Sequence, residues 1–544
     1  QPPVIAARRE APVRARLMGS ASRVALSLTS AVLASAIFGV ALPGVAGAQS
    51  AVNPVQTTTY TLSTNPTIFG GGTDINVSTG NAVVGNTTPF DVTVQGGANI
   101  KTTDSLGIGI YLRSGGNVTN LAGGTISGGV YGILFQGVDV GVVTNAGTIT
   151  SRSQGIGLLS GPNKGVINQA GGTIHGDSNG IIANSQNAFV INQTGGSISG
   201  DLAGVFLEAG GSVTNQAGGS ISGGNTGVNV RGGTGTVTNA GSISGISGDG
   251  IRLRAGSVTN QAGGTISGGR YGVVLTGTGV VTNAGSITAG INGVYLEVGG
   301  SVTNQVGGTI SGGLTGVVIE GGAGTVTNAG VITATDLVTS IGIILTAGGS
   351  VTNQAGATVS GDIGGILIFG GVGTVTNAGT ITARSNPAIN FLDGGAVTNL
   401  AGGKIESSVD GVNISGGAGM VTNAGSIIGG SEGIFLRAGG SVTNLASGTI
   451  SGGSYGVFIR GGAGSVTNAG SITATSGFGV DLDFGGTVTN QASGTISGSQ
   501  GVYISGGAGT VTNAGIITGS NGIAVQFGGS GANTLILQTG SVLN

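Results

Sequence analysis

Cysteine and tryptophan are absent from this 544-residue sequence, and histidine occurs once, at His175. Disulfide cross-links, thiol chemistry and metal centres built on clustered Cys or His are therefore excluded, and the fold must be held by burial and hydrogen bonds alone. Charged side chains account for 7% of residues and aromatics for 4%. So few charges, with a formal net charge of −2, disfavour nucleic acid as a partner.

Glycine is abundant instead, with 121 residues set among Val, Ile, Thr, Ser, Asn and Ala. Glycine and the β-branched residues disfavour helix, whereas the branched residues suit strands and Gly and Asn suit turns. The composition is that of an all-β protein. One texture runs from about residue 100 to the C-terminus, which argues for a repeat array rather than a string of unlike domains.

The N-terminus differs. Residues 24–42 form an apolar run, preceded by Arg8, Arg9, Arg14, Arg16 and Arg23 and followed by Pro43 and the triplet Ala46-Gly47-Ala48. A basic segment, an apolar core and a small-residue site are the three parts of a secretory signal peptide, here assigned to residues 1–48 with cleavage after Ala48. Its removal leaves 12 basic side chains against 18 acidic ones, so the exported chain is mildly acidic, which again disfavours nucleic acid. The sequence opens on Gln1, and translation is expected to start upstream or at Met18.

A Val-Thr-Asn or Val-Ile-Asn unit recurs from Asn120 to Asn513 at a mean step of about 23 residues. Two versions alternate over much of the array, SVTNQAGGTISGG from Ser257 and TVTNAGSISG from Thr236. Each period holds three short alternating segments separated by turns rich in Gly and Asn. The alternation points Val258, Ile266, Val273 and Leu275 inward in one coil, and Val302, Ile310, Val317 and Ile319 in a later one. These features predict a parallel β-helix, a solenoid of three-strand coils. Residues 49–100 are expected to be a cap or irregular first coils, 101–527 the repeat array, and 528–544 a terminal coil. The few apolar side chains of one coil do not offset the entropy of ordering it, so coils must stack to fold. The Asn closing each first segment falls on the inward phase at a corner. Asn215, Asn239, Asn260, Asn283, Asn304 and Asn328 are therefore expected to stack as a structural amide ladder.

Little in the chain suggests chemistry. His175 stands in G-T-I-H-G where other coils carry Ser or Thr, an outward position with no catalytic partners in view. Asp481 and Asp483 are the best acidic pair and are expected to be solvated charges. The G-G-x-G-x-D spacing of calcium-binding rolls does not recur. No catalytic residue, metal or cofactor is assigned. The outward positions of the third segment, G-[VI]-x-[LIV]-x, vary from coil to coil, whereas the first two segments present mostly Ser and Thr. Along that face Arg231, Arg252 and Arg254 lie in adjacent coils and suit sulfated or carboxylated glycans. Tyr295 follows, and Phe435, Arg437, Phe458 and Arg460 form an aromatic and basic block suited to sugar faces or protein. This is the expected ligand-binding face.

The runs GSVTNQAGGTISGG, GVVIEGGAGTVTNAG and the closing FGGSGANTLILQTGSVLN resemble the passenger of a type V autotransporter. The resemblance covers nearly everything from about residue 100 onward. It implies a right-handed parallel β-helix, export through the inner membrane, and a final place at the cell surface, on the outer membrane or outside the cell. A C-terminal translocator barrel and the outer-membrane assembly machinery are the implied partners. Such a barrel needs alternating strands of about ten residues with aromatic girdles, a pattern not seen here, so either the reading frame continues past Asn544, the favoured expectation, or the product is secreted by another route. The function implied is that of an adhesin or extracellular interaction rod. Its expected partner is a glycan or protein on a host or neighbouring cell, with self-association as a further mode. The alternatives are a polysaccharide-active β-helix enzyme and an ice-binding solenoid that uses outward hydroxyls such as those of Thr236 and Thr238.

Overall fold

The computed structural model describes residues 51–529 and 531–544; the leader assigned to residues 1–48 lies outside them. Among the described residues there is no helix, and strands of successive coils pair in parallel. The chain is a β-solenoid of about 21 turns, each of about 23 residues. At the ~4.8 Å spacing of paired strands, the stack rises about 100 Å.

The coil made of Gly256–Asn260, Thr265–Gly268 and Tyr271–Leu275 shows why this sequence bends as it does. Val258, Ile266, Val273 and Leu275 point inward and are at most 1% exposed. In the next coil Val281, Ile287, Val294 and Leu296 lie directly over them in register. The turn between the first and second strands closes at Gly263, whose φ of +80° other residues rarely adopt. The start of the third strand has a different requirement. A Cβ on Gly272 would lie 2.5 Å from Ile287 Cγ2 and 2.6 Å from the carbonyl oxygen of Gly293. Glycine is needed there because the next coil comes close.

The strands hold a fixed pattern, and differences in coil length fall in the corners. Asn283 and Asn304 are 21 residues apart and Asn328 and Asn353 are 25 apart, yet each pair is in register. The longer coil carries its extra residues as a loop over 335–340, between its second and third strands. Residues 51–100 lack the Val-Thr-Asn unit but form coils of the same stack: Val55 pairs with Asp74, Asp74 with Asn99, and Val92 with Val118. Phe69, Ile75, Val92 and Ile100 carry the apolar core through them. Toward the C-terminus strand pairing continues through the second corner, so that Thr495–Ile504 and Ile516–Phe527 are each one strand, with a register shift between Gly498 and Gln500.

At the end of each first strand the asparagines form a continuous column. From Asn120 to Asn490, every Nδ2 donates to the Oδ1 of the Asn one coil on, at 2.8–2.9 Å, and Asn513 is the last rung. The remaining amide hydrogen is used as well: Asn239 Nδ2 lies 3.1 Å from Gly241 O and 3.0 Å from Thr265 O. These side chains are at most 1% exposed, so each bond replaces water that cannot reach the amide. Asn120 is the first rung. Val94 stands at its position in the preceding coil, and Asn120 Oδ1 has no partner.

Replacing Asn304 by Ala removes the acceptor of Asn283 Nδ2 and the donor to Asn328 Oδ1, which keep only their bonds to Gly285 O and Thr309 O and from Gly330 N; the two lost buried bonds should cost about 1–3 kcal/mol together. Ser301→Ala, on the outward side of the same strand, should change stability by less than about 0.5 kcal/mol. Urea unfolding midpoints of the two variants check the difference.

Candidate ligand-binding face

The third strands present three outward columns. The first is a corner position just before the close-packed glycine, and the middle and outer columns lie three and five residues further on. In successive coils these are Glu432, Phe435 and Arg437; Tyr455, Phe458 and Arg460; then Phe478, Asp481 and Asp483. The sequence reading found the middle and outer columns and assigned no role to the corner residue. Its signal was the residue before Gly in x-G-[VI]-x-[LIV], where Tyr, Phe, Glu and Asp recur.

Arg231, Arg252 and Arg254 are brought together. They line a cavity of about 330 Å³ with Phe206, Asn229 and Thr276, and Asn229 and Arg252 are register partners in adjacent coils. Arg252 is held by Asp249, a buried carboxylate whose Oδ2 accepts from Arg252 Nε at 2.6 Å. Arg231 and Arg254 are exposed and form no ion pair with the described carboxylates. One arginine is thus positioned and two are free to take an anion.

The aromatic block has a different character from the one expected. Phe435 stacks on Phe458 at 4.8 Å, Tyr455 on Phe458 at 4.6 Å, Tyr455 on Phe478 at 5.7 Å and Phe478 on Tyr503 at 5.3 Å, all within 29° of parallel. The spacing of the coils is close to that of stacked rings, so neighbouring rings cover each other's faces. Arg437 lies 3.8 Å over Phe435, which is 5% exposed. Phe435 is therefore not the open sugar platform expected from sequence; the block turns ring edges and the guanidinium groups of Arg437 and Arg460 outward. Tyr295 stacks on Tyr271 at 5.5 Å, and its hydroxyl donates to Glu320 at 2.8 Å. Burial, with the Glu320 bond and charge, raises its pKa.

Asp481 corrects another expectation. It is 4% exposed, lies in register between Phe458 and Tyr503, and its Oδ1 has no hydrogen-bond partner. Burial raises its pKa to about 7, with Asp483 adding to the shift. It is a desolvated acid and not a solvated charge. Glu432 is raised in the same direction by burial and by the neighbouring Asp410. His175 is an outward residue, as expected: Nδ1 is 2.9 Å from Ser199 Oγ and Nε2 is 3.2 Å from Asp177.

One feature was not foreseen. Beside the loop over 335–340 lies a cleft of about 520 Å³ lined by Asp336, Ser340, Asp362, Arg384, Glu406 and Ser408. Arg384 Nη1 is 3.6 Å from Asp362 Oδ1. Its only trace in the sequence was the 25-residue step from Asn328 to Asn353. Comparisons with protein-family models, with curated proteins and with solved structures give no match.

Asp481 makes stability depend on pH. With a folded pKa of about 7 against the ordinary aspartate value of 3.8, the folded chain binds more protons than the unfolded chain between those values. This contribution is fully present below the lower value, is lost as pH rises through the upper one, and is flat above it. The melting-temperature gain of Asp481→Asn over the parent should therefore be larger at pH 8 than at pH 5. Thermal melts of both proteins at the two pH values check this.

Proposed function

We propose that this chain is an exported, surface-displayed rod, an autotransporter passenger-like β-solenoid that acts as an adhesin through its third face. The observation that carries the reading is the arginine cavity. Two unpaired guanidinium groups beside a third fixed by Asp249 form a preorganised anion site in a chain with few charges. Interior Val, Ile and Asn repeat because stacking requires it, whereas the outward columns of the third strands are free to vary and so to specialise. The ligand class that fits is a sulfated or carboxylated glycan, or an acidic protein segment, on a host or neighbouring cell. Display would rest on the leader at residues 1–48 and on an outer-membrane translocator barrel.

The cleft at Asp362 and Arg384 supports a second reading, binding or processing of a polysaccharide, because it gathers carboxylates, an arginine and serine hydroxyls. Release of new reducing ends from acidic polysaccharides would favour it over simple adhesion.

The chain should be retained on immobilised heparin at low salt and released as salt rises. The double variant Arg231→Ser, Arg254→Ser should bind at least about tenfold more weakly, each lost charged hydrogen bond being worth roughly 1.5–3 kcal/mol gross. Equal retention of parent and variant would remove the arginine cavity from the account.

A further inference from the structure

The outer column of the third face has a symmetric order about Thr276. Each of its residues bonds through its backbone N–H to the coil before, so that Arg231, Arg254, Thr276, Glu297 and Glu320 stack in that order at the strand spacing. The two arginines and the two glutamates form no ion pair with the described residues. They stand one and two coils from Thr276, on opposite sides of it. Turning the column end for end therefore sets Arg254 against Glu297 and Arg231 against Glu320.

Apolar residues follow the same centre. In the middle column Phe206 and Ile182 lie three and four coils before the coil of Thr276, and Ile344 and Leu367 lie three and four coils after it. Leu159 and Leu392 stand in the outer column five coils to either side. All six point away from the core and are at least partly exposed. One coil from the centre, Arg252 on one side answers Tyr295 on the other, a pair suited to cation–π contact. Stacking within one rod does not require charges and apolar residues to share a centre of symmetry; pairing of two rods does.

We propose that this face is an isologous interface between two antiparallel copies of the chain, with the twofold axis at Thr276. An axis lying in the interface along the strands keeps each column opposite its own counterpart and reverses the order of the coils. From Leu159 to Leu392 the contact covers about ten strand spacings, roughly 48 Å, by about 17 Å for a five-residue strand. That is about 800 Å² per copy, the size of a standard stable interface. Arg270 meets its own copy at the corner, but it is exposed there and screened by water. Arg231 and Arg254 take the carboxylates of the second copy in place of an outside anion, so pairing and ligand compete for the arginine cavity. The proposal rests on reading that cavity as an anion site and not on display at the cell surface.

Sedimentation velocity of the purified chain should show a monomer–dimer equilibrium that moves toward monomer as salt rises. The double variants Arg231→Glu, Arg254→Glu and Glu297→Arg, Glu320→Arg should each stay monomeric where the parent dimerises, with unchanged far-ultraviolet spectra, because like charges then face each other. An equimolar mixture of the two should restore the dimer, since each carries a single sign on both arms. Leu367→Lys, distant from the charges and opposite Ile182 of the second copy, should weaken dimerisation at least about tenfold. A parent that is monomeric at high concentration and low salt overturns the pairing, as does a mixture that stays monomeric. Retention of that monomer on heparin shows whether the anion site stands without it.

Discussion

Parallel, in-register stacking of near-identical coils is the constraint on which the rest of this structure depends. Each interior side chain meets its own counterpart one coil away, as Val258 meets Val281 and Asn260 meets Asn283, so a residue that packs well once packs well throughout. The asparagine column is the strictest expression of this rule. An amide carries both donor and acceptor, and a stack of amides satisfies itself only if every coil supplies one at the same corner. Coil lengths vary and corners bulge, yet the register at that corner returns from Asn120 to Asn513.

The same constraint determines what the outer surface can do. At the spacing of paired strands, aromatic residues placed in successive coils stack face to face and shield one another, as Phe435, Phe458, Tyr455 and Phe478 do. Acids placed among them lose water, which is why Asp481 is a weak acid. Cationic groups long enough to reach past the column remain available. Binding by such a rod therefore falls to arginines, ring edges and irregular corners rather than to flat aromatic platforms.

Interior positions were readable in the sequence because period and alternation both point to them: Val258, Ile266, Val273 and Leu275 are buried where the pattern puts them. The all-β class and parallel coils followed from composition and repeat. Properties set by neighbours one coil away were not readable. The burial of Asp481 depends on Phe458 and Tyr503, each more than 20 residues distant in the chain. The corner column was missed because the outward pattern G-[VI]-x-[LIV]-x starts at the glycine that follows Glu432 and Tyr455. Lys164 gave no warning at all. It is fully buried, its Nζ bonded to the carbonyl oxygens of Gly137, Leu159 and Ser160 in an irregular corner.

Amide hydrogen exchange followed by mass spectrometry tests the central claim most directly, because it reports local opening along the whole stack. If coil-to-coil amide bonding holds the solenoid, protection should form a plateau over the coils from Asn120 to Asn513. It should fall in residues 51–100, where the core continues but Val94 replaces the asparagine rung. Equal or greater protection in those first coils would contradict the account and assign the stability to apolar stacking alone.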